Sequence, residues 1–222
     1  MKIFNLWRKL TLKKLFLLLI VLSNISFAKS NFYINPKIGI DLVSRYEKID
    51  DDNGNSLLGD KTKGFGGEVA IEGYKILNES IDLGLGVAYQ DHSDRKHFDY
   101  TSNVDTSGVQ YRSIPVYLAG RYNFLLESKT KPYLRANLGY SFNFNSSDLE
   151  EKNSVNDQTE KTAIDIDGGL YYGIGTGIEY KDYTIELMYA INQCKSSIDG
   201  SHSKDRTDYD RISLLIGYRF NF

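Results

Sequence analysis

Few residues in this chain could carry out chemistry. There are three histidines, His92, His97 and His202. A nucleophilic hydrolase needs a hydroxyl or thiol, a base within hydrogen-bond reach and an acid to orient that base. His92 is followed by Ser93 and Asp94, and His202 is flanked by Ser201 and Ser203. Serine is frequent throughout, so such neighbours arise by chance, and no serine–histidine–acid arrangement stands out. Asp91, His92, Asp94 and His97 carry metal-ligating types at close spacing. They fall in polar connecting stretches, where a solvated imidazole is the ordinary expectation. Asp50-Asp51-Asp52-Asn53-Gly54-Asn55 has the composition of a calcium loop but lacks its later acidic ligand, so Asp51 reads as a solubilising charge. Cys194 is the only cysteine, so no intrachain disulfide can form. These residues predict no enzyme, no metal and no cofactor.

A second group of charges is regular. Lys37, Asp41, Glu68, Glu72, Asp82, Arg121, Arg135, Glu179, Glu186 and Arg219 each sit opposite an apolar set in an alternating segment. Alternation is the strand period, and it puts the two sets on opposite faces. The last eleven residues show it most plainly. From Ile212 to Phe222 every even position is apolar, whereas the odd positions carry Ser213, Gly217, Arg219 and Asn221, with Leu215 the exception.

Eight such segments are predicted: 31–44, 64–75, 81–91, 111–124, 132–143, 166–180, 183–192 and a last one beginning near Tyr209. Their connections alternate in length. The stretches 76–80, 125–131 and 181–182 are tight turns. Those over 45–63, 92–110, 146–165 and 193–208 are long and polar. The N-terminus carries Lys2, Arg8, Lys9, Lys13 and Lys14, then the apolar run Leu15–Leu22, then Ser26-Phe27-Ala28. That is a secretory signal cut after Ala28, and the run is too short to span a membrane as a helix. From a formal net charge of -2, loss of those five basic charges leaves -7. An acidic mature chain argues against a nucleic-acid partner.

An exported chain of alternating strands could be a sandwich or a membrane barrel. A sandwich would strand the regular charges in its core or expose its regular apolar face. A bilayer inverts the requirement: the apolar face meets lipid, the strands close on themselves, and the charges pair within. Tyr89, Tyr122, Tyr140, Tyr180 and Tyr183 lie near strand ends, with Phe32, Phe124 and Phe142, as a headgroup-level aromatic girdle would. The expected fold is all-β, an eight-stranded antiparallel transmembrane barrel over 29–222, with short periplasmic turns and four long extracellular loops. Its interior admits only side chains or one small ligand. The expected lumen network is Lys37, Glu68, Glu72, Asp82, Arg121, Arg135, Glu179, Glu186 and Arg219. Gly169, Gly173, Gly175 and Gly177 on the inner face make room for large neighbours such as Tyr171.

The signal, the eight strands, the Ser113–Phe124 stretch and the Tyr218-Arg219-Phe220-Asn221-Phe222 ending together resemble small bacterial outer-membrane β-barrels of the OmpA/OmpX-like, porin-family type. The resemblance covers the whole mature chain. It implies an outer-membrane location after Sec-type export, lipid and lipopolysaccharide as surroundings, and a monomer. It also implies recognition by the barrel-assembly machinery through Phe222, with Phe220 and Tyr218. The peptidoglycan-binding domain of some relatives is not expected. The family holds structural, adhesive, immune-evasion and narrow-channel proteins. Two functions stay open: a structural or surface-interaction barrel presenting its loops to an extracellular protein or other surface ligand, and a narrow, low-conductance channel.

Overall fold

The computed structural model describes residues 31–50, 56–101, 103–198 and 204–222. The expected signal over 1–28, His202 and Asp51–Asn55 lie outside them. Eight long antiparallel strands form one sheet: β1 Phe32–Tyr46, β2 Gly67–Ile76, β3 Ile81–Asp91, β4 Arg112–Asn123, β5 Thr130–Phe144, β6 Gly169–Tyr180, β7 Tyr183–Asn192 and β8 Tyr209–Tyr218. Each pairs with the next in sequence, and β8 pairs back onto β1, so the sheet closes. The pair Phe220–Asn221 continues β8 along Tyr33 and Ile34. The predicted bounds of β3 and β7 are reproduced.

Side chains sort by parity. On β3, Asp82, Gly84, Gly86, Ala88 and Gln90 turn inward, and Leu83, Val87 and Tyr89 are exposed outside. β1 changes parity along its length. The odd residues Tyr33 to Asp41 face in, a bulge falls between Asp41 and Val43, and Tyr46 then faces in. The extra residue leaves Leu42 and Val43 both outside, the expected consequence of a bulge in a paired strand. Leu215, the exception to the C-terminal alternation, is buried in the lumen beside Gly39.

The connections depart from expectation. The sequence predicts polar loops over 45–63, 92–110, 146–165 and 193–208. The structure folds them into further strands. Phe98–Thr101, Val104–Gly108, Leu149–Asn153 and Gln158–Thr162 form a four-stranded sheet. Ile166 and Asp167, predicted as the start of β6, belong instead to a strand Ile164–Asp167 that leaves the barrel and pairs with Lys195–Ile198. Ile49, Leu58, Val109, Leu149 and Ile164 come together as a buried apolar cluster outside the barrel. These five are spread over three connections with no common period, so no periodicity marks them.

Glycine sets the fit inside. A Cβ on Gly177 would lie 2.4 Å from the Tyr133 ring, and one on Gly86 would lie 2.4 Å from Tyr117. Gly120 faces open space. Gly177→Val is therefore expected to cost roughly 1–3 kcal/mol through overpacking, and Gly120→Val close to nothing. Urea titration followed by the mobility shift between folded and unfolded barrel on a gel would measure both. Equal midpoints for the two variants would contradict this packing.

Candidate functional site

The lumen is filled by three layers of ion-paired side chains. Nearest the short turns, Arg121 Nη2 donates to Glu179 Oε2 at 2.6 Å and its Nε donates to Asn123 at 2.6 Å. Tyr33 donates to Asp82 at 2.9 Å. Arg219 reaches Glu179 at 3.3 Å and stacks over Tyr33, 3.8 Å from the ring centre. In the middle, Lys37 Nζ lies 2.8 Å from Glu72 and 2.5 Å from Glu186. Arg135 pairs with the same two carboxylates. Tyr74 and Tyr117 donate to Glu72 at 3.0 and 2.6 Å, and Tyr133 donates to Glu186 at 2.7 Å. Farther along, Arg211 Nη2 meets Glu68 at 2.9 Å, and Gln90 donates to the same oxygen at 2.8 Å. Ser213 and Tyr209 donate to Asp41 at 2.7 and 2.9 Å.

The structure thus places Lys37, Glu68, Glu72, Asp82, Arg121, Arg135, Glu179, Glu186 and Arg219 inside one lumen, the first eight of them buried. Arg211, which anchors the third layer, is absent from the expected network. Its odd parity with Ser213 and Arg219 was available, but it sits beside the uncertain start of β8. Phe220 and Phe222 are exposed on the outer face. Phe222 N–H donates to Phe32 O at 3.3 Å, so the terminus is stitched to β1.

The end bearing the long connections has its own closure. Tyr46, Tyr111, Tyr209 and Cys194 pack together, and His92 lies tilted against Tyr209 with ring centres 4.1 Å apart. Arg95 is buried over Tyr46, at 4.4 Å from its ring centre. It donates to the carbonyls of Glu47 and Gly59 and to the Thr207 hydroxyl at 2.9, 2.6 and 3.1 Å, which joins three connections. Burial pulls the Arg95 guanidinium down to about 10, still charged at neutral pH. Cys194 Sγ lies 2.9 Å from Thr207 O and 3.1 Å from the Tyr111 hydroxyl. Burial pushes its thiol up to about 12, so it is neither exposed for bonding between molecules nor a ready nucleophile.

His92 corrects a second expectation. It is not a solvated loop histidine but a buried one. The segment turns inward immediately after β3, which the polar run His92–Lys96 concealed. His97 is exposed. The hydrogen-bond partner of His92 is Ser113, whose Oγ lies 2.7 Å from Nε2. Ser113 donates to Asn143 Oδ1 at 2.9 Å, and Asn143 Nδ2 donates to Asp167 O at 2.9 Å. The imidazole is thereby tied into a chain of side-chain hydrogen bonds that ends at the Asp167 carbonyl. Nδ1 is buried with no partner. No group of three or more His, Cys, Asp or Glu suited to a metal occurs among the described residues.

A closed eight-stranded sheet, apolar outside and ion-paired inside, is the architecture of a membrane-spanning barrel. The chain belongs to the outer membrane protein beta-barrel domain family, whose model matches residues 15–220. It is a protein of the bacterial outer membrane. An uncharacterized protein of Pasteurella multocida (strain Pm70), PM1543, is 26% identical over 92% of this chain and 95% of that protein. The outer membrane protein OprG of Pseudomonas aeruginosa superposes with a TM-score of 0.56 at 16% identity, covering 87% of this chain and 97% of that one. Neisserial surface protein A superposes with a TM-score of 0.45 at 13% identity, over 87% and 100%. These likenesses concern the fold.

Two outcomes follow. Glu186→Leu leaves Lys37 and Arg135 facing one carboxylate instead of two in a dry interior. Breaking a buried pair costs about 3–5 kcal/mol, read as a fall in urea midpoint. Lys37→Met combined with Glu186→Leu should cost less than Glu186→Leu alone, and an additive loss would refute the coupling. Burial, and next to it Arg211, hold His92 well below the usual imidazole range. Above the ordinary value of about 6.5 both folded and unfolded imidazoles are neutral. As pH falls below it, the unfolded chain takes a proton that the folded chain refuses, so stability drops by up to about 1.4 kcal/mol per pH unit. Urea midpoints between about pH 7.5 and 5 should show this in the native protein, and His92→Gln should flatten it.

Proposed function

We propose that this protein is a closed, non-enzymatic, monomeric membrane scaffold, OmpA/OmpX-like in organisation, whose folded long connections present an interaction surface outside the cell. In this reading residues 1–28 direct Sec-type export and are removed. Phe222, with Phe220 and Tyr218, engages the barrel-assembly machinery, and the apolar face sits among lipid and lipopolysaccharide. The short turns then lie in the periplasm.

The observation that carries the reading is the middle layer of the lumen. Lys37, Glu72, Arg135 and Glu186 bridge four different strands, and the Tyr74, Tyr117 and Tyr133 hydroxyls fill the remaining acceptor positions. An ion crossing there would have to displace paired charges that are costly to separate in a low dielectric. The cavity at the short-turn mouth, about 200 Å³ and lined by Arg121, Glu179, Arg219 and Phe124, lies on one side of that layer. Long connections that fold around their own apolar cluster support a shaped recognition surface, the usual use of loops on a rigid scaffold.

The narrow-channel alternative makes the opposite prediction in a planar bilayer. Refolded mature protein is expected to be electrically silent, and Glu72→Ala with Arg135→Ala, if it folds, should open a measurable conductance. Stable openings of the unaltered barrel would overturn the closed reading. Protease treatment of intact cells tests the orientation: cleavage near Lys152 or Lys161 is expected, and protection there would place the long connections on the wrong side.

A further inference from the structure

We infer that His92 is an acid-sensitive latch: a second proton on its ring drives the side chain out of its buried position and frees the end formed by the long connections, while the barrel itself stays closed. The inference concerns regulation of the surface-interaction end and rests on that reading for its biological meaning, though not for the switch itself.

Four consecutive residues hold that end to the barrel. His92 meets Ser113 on β4 and lies against the rings of Tyr209 and Tyr111, with centres 4.1 and 4.9 Å away. Ser93 N–H donates to the Tyr209 hydroxyl at 3.1 Å, its Oγ lies 3.1 Å from Ser44 Oγ, and its carbonyl accepts from the Tyr46 hydroxyl at 2.9 Å. Asp94 and Arg95 pair with Lys63 and Thr62. Arg95 then gathers three connections through Glu47, Gly59 and Thr207. His92 is the first of the four and is packed on rings of the same cluster, so displacing it loosens the contacts that seat the other three.

The latched position has no place for an imidazolium. That form donates from both ring nitrogens. Nε2 faces the Ser113 hydroxyl, but Nδ1 is buried with no partner, so a proton there is left unpaired and shielded, which is costly. The surrounding groups do not compensate the charge. Tyr111, Tyr209, Tyr46 and Cys194 are neutral. Asp41 on β1 is held by Ser213, Tyr209 and Arg211. On its own segment, Asp91 is paired with Arg112, Asp94 is exposed, and Arg95 is itself a cation. Arg211, which pairs with Glu68, is the charge that bears on His92, and it opposes a second positive one.

The molecule yields where pairing is sparse. Asp94 and Arg95 pair with their neighbours at two positions, whereas β4 pairs with β5 at twelve. Opening of the latch therefore precedes loss of the sheet, as local opening does wherever few contacts hold a segment. An open form whose imidazole titrates at the ordinary value of about 6.5 takes the proton that the latched form refuses. The opening constant then rises about tenfold per pH unit below that value, or roughly 30-fold between about pH 7.5 and about pH 5.

Cys194 supplies the reporter. It is the only cysteine, and it is buried with Tyr111 and Tyr209, the two rings that His92 packs on. Purified, refolded mature protein is treated with a dipyridyl disulfide, which labels thiols in acid as well as at neutral pH. The labelling rate is divided by that of the urea-unfolded chain at the same pH. This ratio is expected to rise roughly 30-fold from about pH 7.5 to about pH 5, with the folded-barrel mobility on a gel unchanged. His92→Gln should flatten the rise, and His92→Phe serves the same purpose if the glutamine variant does not fold. His97→Gln combined with His202→Gln should leave it intact. Three results would overturn the inference: a flat ratio in the native protein, an equal rise in a His92 variant, or loss of the folded band over the same pH range. Protease access on intact cells, measured separately, tests the surface reading, so the two can fail independently.

Discussion

Everything in this molecule follows from the rule that a bilayer leaves no backbone donor or acceptor unpaired. Helices meet the rule within themselves, whereas strands can meet it only by closing. Here β8 returns to β1 from Arg45↔Asp210 to Lys37↔Gly217, across the bulge at Asp41/Val43. Closure with eight strands fixes a narrow interior. A narrow interior must be filled, and because the apolar residues are spent on the lipid face, the filling is polar. Polar filling in a dry space must in turn be paired. The layers built on Arg121, on Arg135 with Lys37, and on Arg211 are the result. Tyrosine suits these layers because one side chain supplies a large ring for volume and a hydroxyl to cap a carboxylate.

This chain of constraints explains how much was legible. The sheet was readable because each strand obeys one period, and the period is set by the two solvents it separates. The lumen charges were readable for the same reason, since a Glu at position 72 or 186 in an otherwise apolar alternation has only the interior to face. Pairing between them was not readable. Lys37 and Glu186 are far apart in sequence, and only the register between β1, β8 and β7 brings them to one level. The parity change in β1 was hidden as well, because Leu42 and Val43 are both apolar and either could have continued the alternation.

The end beyond the membrane obeys a different rule, and there the sequence reading failed. Water on all sides imposes no period. Ile49, Leu58, Val109, Leu149 and Ile164 are spread through polar stretches without a shared period, which is ordinary for a solvated loop. Only their convergence in space makes a cluster. Arg95 shows the same difficulty, since a buried cation that gathers three connections is indistinguishable in sequence from a surface one. His92 falls in this zone too, one residue past the end of β3.

The boundary between the two regimes is where function has room to vary. Inside the membrane, almost any change of charge or volume meets a paired carboxylate, a guanidinium or a tyrosine ring that cannot retreat, so the barrel is constrained to remain a barrel. Past Asp91 and Asn192 the constraint relaxes, and the segments can be reshaped provided they still bury their few apolar residues. Yet that region is tied to the barrel. His92 reaches Ser113 on β4, and Tyr209 on β8 touches Asp41 and Ser93 together. The filled lumen is therefore continuous with the packing of the segments beyond the strands. The same pairing that fills the barrel thus reaches past the strand ends, through Ser113 to His92 and through Asp41 to Tyr209 and Ser93.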